Sequence, residues 1–147
     1  MVYLQEKDRV QREGIEIFDG LFVGGRLSAM NYELLKTRNV QGILNVTTEV
    51  RLYFPDSGEF EYLRVAVNDA QEEPISDYFN DTYQFIQTHL NQSRGVLVHC
   101  QMGQSRSCSV IVACKYFYVW SSEHQICNLL KYHDICFLSF LLAVQLR

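Results

Sequence analysis

The residues with the clearest chemical potential lie near the middle of the chain, where five residues separate a cysteine from an arginine. A planar guanidinium can bind two oxygens of a phosphate at once, and a thiolate is a strong nucleophile. Cys100 and Arg106 are therefore predicted to attack and hold a phosphate. The predicted phosphate-binding loop consists of Gln101, Met102, Gly103, Gln104 and Ser105 together with Arg106.

The segments on either side of this loop are apolar and predict how it is held. Residues 95–99 form a short apolar run typical of a buried strand, and residues 107–113 form a second run. A strand, a tight loop and a helix in this order direct backbone N–H groups toward an anion at the helix N-terminus. A cysteine in that place is expected to ionise more readily than a free cysteine.

The rest of the chain predicts an α/β fold with a central, mostly parallel twisted sheet flanked by helices. Two short alternating runs around Asp19-Gly20 predict a hairpin. The predicted strands are 40–47, 60–67 and 96–99. The first predicted helix covers 29–38 and is capped by Ser28, and the second is capped by Ser76 or Asp77 and runs to about Leu90. A third helix follows Arg106 and runs to about Trp120, and a fourth covers 123–132. The loop would then lie at the carboxyl end of a strand, where such sheets bind ligands.

The segment from Val98 to Ser107 resembles the signature of the cysteine-dependent protein tyrosine phosphatases, and most of all their dual-specificity branch. That pattern is histidine, cysteine, five residues with glycine third after the cysteine, arginine, and serine or threonine, and this chain fills every position. The resemblance extends over residues 14–120. Residues 43–47 and 53–55 are also similar to slingshot phosphatases, although MAP-kinase phosphatases share similar strings.

The resemblance implies a role for each site residue. Cys100 would form a phosphocysteine intermediate, and Arg106 would bind the phosphate and stabilise its transition state. The Ser107 hydroxyl would bond the sulfur and assist hydrolysis of the intermediate, while His99 would order the loop. Asp69, after a strand and upstream of the cysteine, would act as general acid and then as general base.

Two alternatives stay open at these positions. Glu72 and Glu73 are close enough in sequence to compete with Asp69 as the acid. Four residues with paired His-x2-Cys spacing, His124, Cys127, His133 and Cys136, could instead bind zinc. No metal and no cofactor is expected, since the arginine and the loop amides supply the positive field.

Composition narrows the class of protein. The 147 residues predict a single catalytic domain, with a segment from about residue 121 that departs from the family pattern. A net charge of −4 argues against nucleic-acid binding. The apolar residues 135–144 are too few for a membrane span. Five cysteines without framework spacing indicate reduced thiols, and hence a cytoplasmic or nuclear location.

These observations together predict a dual-specificity protein phosphatase that hydrolyses phosphotyrosine and phosphoserine or phosphothreonine in phosphoprotein substrates. The alternative is a catalytically weak module of the same fold that binds phosphopeptides or acts as a scaffold. Phosphoinositides and RNA 5′ ends stay open as substrates, although the uncharged Gln101, Met102 and Gln104 argue against lipid headgroups.

Overall fold

The computed structural model describes residues 2–70 and 74–118 of the chain. Its elements in chain order are α1 (Val2–Arg12), β1 (Ile15–Phe18), β2 (Leu21–Gly24), α2 (Arg26–Ala29), α3 (Tyr32–Thr37), β3 (Val40–Asn45), β4 (Glu61–Arg64), a 3₁₀ turn (Ile75–Tyr78), α4 (Phe79–Leu90), β5 (Gly95–His99) and α5 (Arg106–Tyr118). Strands and helices alternate through most of this order, as the α/β prediction requires.

A five-stranded sheet with the order β1-β2-β5-β3-β4 forms the centre of the fold. Strand β5 runs parallel to β2 and to β3, and β3 runs parallel to β4, while β1 and β2 form the predicted antiparallel hairpin. The mostly parallel sheet is therefore confirmed. Asn45 pairs with His99 at the carboxyl ends of β3 and β5, so the segments that follow these two strands start side by side.

The sheet is covered on both faces. Leu44, Val96 and Val98 belong to one buried cluster, which includes residues of α4 and α5. Ile43 and Leu97, their neighbours in sequence, belong to a second cluster with residues of α2 and α3. Successive side chains of a strand point to opposite faces, so two covering layers explain why the strand sequences are continuously apolar.

The predicted helix over residues 29–38 is wrong, because the chain forms two short helices there. Asn31 lies between them with extended backbone angles, and its side chain accepts a hydrogen bond from the N–H of Leu34 at 3.1 Å, which caps α3. Ser28 lies inside α2 and donates to the Gly25 carbonyl instead. An asparagine cap thus restarts the helix where apolar spacing alone predicted continuity.

Helix α4 begins at Phe79, after the 3₁₀ turn, and ends at the predicted Leu90. The predicted helix over 123–132 lies outside the described residues, as do the segment from about 121 and the four candidate zinc ligands. Within the described ranges, no helix combines the length and the hydropathy that a membrane span needs.

Candidate active site

The loop between β5 and α5 forms the candidate site. Cys100 directly follows β5, and Arg106 is the first residue of α5. The loop is fastened to the end of β2, because the Cys100 N–H donates to the Gly24 carbonyl at 3.3 Å and the Arg26 N–H donates to the Gln101 carbonyl at 3.0 Å. The N–H groups in the first turn of α5 have no carbonyl within the helix to bond, which suits an anion at this position.

Gly103 sets the path of the loop. Its φ of +75° lies in the left-handed region that favours glycine, and a Cβ atom there would lie 2.7 Å from the Gly24 carbonyl carbon and 2.7 Å from Val10 Cγ1 of α1. The loop therefore needs glycine at this position both for its conformation and for its close approach to β2 and α1.

The sulfur of Cys100 is buried and lies among hydrogen-bond donors. The Gly103 N–H donates to Sγ at 3.2 Å, and the Ser107 hydroxyl oxygen lies 3.3 Å from Sγ. Cys100 is 2% exposed and Ser107 is completely buried. Both neighbours can donate a hydrogen bond to the sulfur, so polar groups surround the atom that is predicted to attack phosphorus. Cys108 of α5 also contacts the loop, because its thiol donates to the Gly103 carbonyl.

His99 is the last residue of β5 and is almost completely buried. Burial lowers the pKa of His99 to about 4, so the imidazole is neutral near pH 7. Its Nδ1 lies 3.3 Å from the Cys100 carbonyl oxygen, which can only accept, so Nδ1 carries the hydrogen. This contact links the imidazole to the backbone of Cys100.

Arg106 is buried, yet its guanidinium is well provided with acceptors. Nη1 donates to Glu49 Oε2 at 2.9 Å and to the Val67 carbonyl at 3.1 Å, and Nη2 donates to Glu49 Oε1 at 2.5 Å. Burial acts to lower the pKa of Arg106, but the hydrogen bonds that it donates to Glu49 and the nearby charges of Cys100 and Asp69 raise this pKa above its ordinary value.

Within the described part of the chain, no hydrogen-bond acceptor occupies one edge of the guanidinium, which we call the open edge. Nε is buried and has no hydrogen-bond partner among the described residues. Glu49 occupies the end of the group between Nη1 and Nη2, so the side formed by Nε–H and the second Nη2–H is available as a two-pronged donor. Two parallel N–H groups of this kind are the arrangement through which arginine binds two oxygens of a phosphate.

Asp69 lies beside this open edge. Its Oδ1 is 3.9 Å from Arg106 Nε, and its side chain is 63% exposed. The structure therefore brings Asp69 to the site from a different loop, and its role as the acid stays a prediction. Glu72 and Glu73, the competing carboxylates, lie outside the described residues.

Sequence reasoning missed Glu49 and the Val67 carbonyl, which both bond the arginine. Val67 contributes only its backbone, so no residue type could have indicated it. Glu49 gave a usable signal, because it closely follows a predicted buried strand, and parallel strands end at the same edge of a sheet.

Sequence comparison places this arrangement among known proteins. A family model described as "Dual specificity phosphatase, catalytic domain" matches residues 21–124. The chain is 43% identical over 98 residues to protein phosphatase Slingshot homolog 2 of Homo sapiens. It is 39% identical over 98 residues to dual specificity protein phosphatase 1B of Arabidopsis thaliana. Each match covers 67% of this chain, but only 7% of the human protein and 58% of the plant protein.

Solved structures share the fold. The chain superposes on human tyrosine phosphatase-like serine/threonine/tyrosine-interacting protein with a TM-score of 0.75 and 25% identity, covering 92% of this chain and 95% of that one. The corresponding values for DUSP15 are 0.71 and 22%, with 84% and 76% covered. At that identity the second similarity concerns the fold alone.

Proposed function

Because the chain belongs to the dual-specificity phosphatase family, we propose that it hydrolyses phosphate monoesters of tyrosine, serine and threonine in phosphoproteins through Cys100. One arrangement carries the proposal: the Cys100 sulfur lies between two donors, in the loop that leads into the buried arginine with an open edge. A phosphate in the loop would meet a nucleophile and a two-pronged donor together.

In the first step, the Cys100 thiolate attacks phosphorus, so that a P–S bond forms and the bond to the substrate oxygen breaks. The open edge of Arg106 binds two equatorial oxygens and stabilises the charge that they carry in the transition state. The leaving oxygen takes a proton from the Asp69 carboxyl, whose exposed position lets it reach a protein-bound substrate.

In the second step, water attacks phosphorus and the P–S bond breaks. Asp69, now ionised, accepts the proton of the attacking water. The departing sulfur becomes a thiolate again, and the Ser107 hydroxyl, 3.3 Å away, donates a hydrogen bond to it. The Gly103 N–H supports the same charge, so the chemistry needs no metal ion in this scheme.

Hydrolysis of p-nitrophenyl phosphate in the presence of a metal chelator tests the proposal. Cys100→Ser should abolish the activity, because a hydroxyl at this site is not ionised near neutral pH. Cys114→Ala is the matched control, since Cys114 is also buried in the structure but belongs to the core and not to the loop. Full activity in Cys100→Ser would refute the mechanism.

Peptide substrates distinguish the proposed specificity from the alternative of a phosphopeptide-binding module. We expect turnover of both phosphotyrosine and phosphothreonine peptides. Tight binding of these peptides to the wild-type protein without release of phosphate would favour the binding module instead. A reducing compartment, cytoplasmic or nuclear, is part of this proposal because the mechanism requires the free thiol.

A further inference from the structure

We propose that Glu49 is a positioning residue that fixes the guanidinium of Arg106 so that its Nε and Nη2 edge faces the bound phosphate. The inference rests on the proposed function only in placing an oxyanion at Arg106. Glu49 itself would touch neither the phosphate nor the leaving group.

The contact is bidentate, and this geometry makes it specific. Glu49 holds both terminal nitrogens of Arg106, and the Val67 carbonyl takes the remaining hydrogen of Nη1. An arginine side chain has several freely rotating bonds, and ordering it costs conformational entropy. The two acceptors at one end of the guanidinium order the side chain before the phosphate binds, so phosphate binding does not have to supply that entropy. They also leave only the other edge of the guanidinium for the phosphate.

The loop that carries Glu49 is itself firmly held. Asn45, at the end of β3, donates to the Val50 carbonyl at 2.8 Å and accepts from the Thr47 hydroxyl at 2.7 Å, and Thr47 in turn accepts from the Val50 N–H. Arg64, at the end of β4, donates to the carbonyls of Thr47, Thr48 and Val50. The backbone on both sides of Glu49 is therefore fixed to two strands of the sheet.

The same loop also contacts the segment that bears the proposed acid. The Thr48 hydroxyl donates to Asn68 Oδ1 at 2.8 Å, and Asn68 directly precedes Asp69. A single short loop therefore contacts the arginine through Glu49 and the acid segment through Thr48. This placement makes the loop a common support for phosphate binding and for proton transfer.

Glu49 is unsuited to donate a proton itself. The hydrogen bonds from Arg106 are the main cause that lowers the pKa of Glu49 to about 2, so the carboxylate is ionised near neutral pH. Its side chain is 44% exposed, so solvent screens the repulsion between this carboxylate and a bound dianion. Glu49 therefore repels a bound dianion less than a fully buried carboxylate would.

Tungstate binding to the wild-type protein and its variants tests the inference without any need for turnover. Calorimetric titration of Glu49→Gln with sodium tungstate should show a dissociation constant raised about tenfold or more, as expected when a charged hydrogen-bonded pair is lost. Glu61→Gln is the matched control, because Glu61 also pairs with an arginine, Arg94, at a distance of 2.6 Å. This second pair lies away from the site. It should bind tungstate as the wild type does.

Kinetics add a readout that general destabilisation would not produce. In Glu49→Gln, kcat for p-nitrophenyl phosphate should fall more than KM rises, because the arginine contact strengthens in the transition state. Tungstate affinity equal to or above wild type in Glu49→Gln, or an equal loss in Glu61→Gln, would overturn the inference. An inactive wild type, combined with tungstate binding that Glu49→Gln weakens and Glu61→Gln does not, would refute the proposed function while supporting the role of Glu49.

Discussion

Two glycines with nearly the same backbone angle offer a controlled test of the phosphate loop. Gly103 has a φ of +75° and Gly58 has a φ of +70°, so an alanine at either position must adopt a left-handed conformation. Their surroundings differ, because a Cβ at Gly58 would meet nothing within 4 Å, whereas one at Gly103 would meet backbone atoms of Gly24 at 2.7 and 2.8 Å.

The magnitude follows from separating the two costs. The left-handed conformation costs alanine about 1–2 kcal/mol at either position, and the gain from a stiffer unfolded chain, about 0.4–1 kcal/mol, is also common to both. Overpacking adds about 1–3 kcal/mol at Gly103 alone, because the backbone of β2 must move. We therefore expect Gly103→Ala to lower the free energy of unfolding by about 1–3 kcal/mol more than Gly58→Ala does.

Urea denaturation of both variants measures this difference, and phosphatase assays accompany it. Gly103→Ala should also lose activity, since moving the loop displaces the N–H that donates to the Cys100 sulfur. Gly58→Ala should keep the wild-type rate. Equal destabilisation by the two substitutions would show that the loop does not press against Gly24, and the reasoning on the loop's path would be refuted.

Two further predictions concern protons. The pKa of His99 is about 4 in the folded protein and near 6.5 in the unfolded chain, so the unfolded chain binds an extra proton between these pH values. The free energy of unfolding should therefore fall as the pH falls from 6.5 toward 4. Urea titrations of His99→Asn should show a shallower fall, and an unchanged slope would contradict the lowered pKa of His99. Asp69→Asn should lower kcat by about 10²–10⁴-fold for phosphotyrosine peptides but much less for aryl phosphates with acidic leaving groups, and an equal loss for both substrates would exclude Asp69 as the acid.

Local sequence signals predicted the elements well where tertiary contacts agreed with them. The Asp19-Gly20 turn, the apolar run of β5 and the helix after Arg106 all formed as predicted. The predicted helix over 29–38 failed because the Asn31 side chain bonds the backbone and starts a new helix. Apolar spacing is blind to such a bond, since it reports burial and not the pairing of individual N–H groups.

The central residues of the candidate site could be predicted from the sequence because they lie within one short segment of the chain. A cysteine, a glycine and an arginine within one loop keep their relation whatever the rest of the fold does, so Cys100, Gly103 and Arg106 could be predicted as site residues from their spacing. The partner of the arginine could not be identified in this way. Glu49 lies 57 residues before Arg106, and the two meet only because β3 and β5 pair in parallel and end at the same edge. Which edge of the guanidinium stays open was therefore decided by the packing of the sheet.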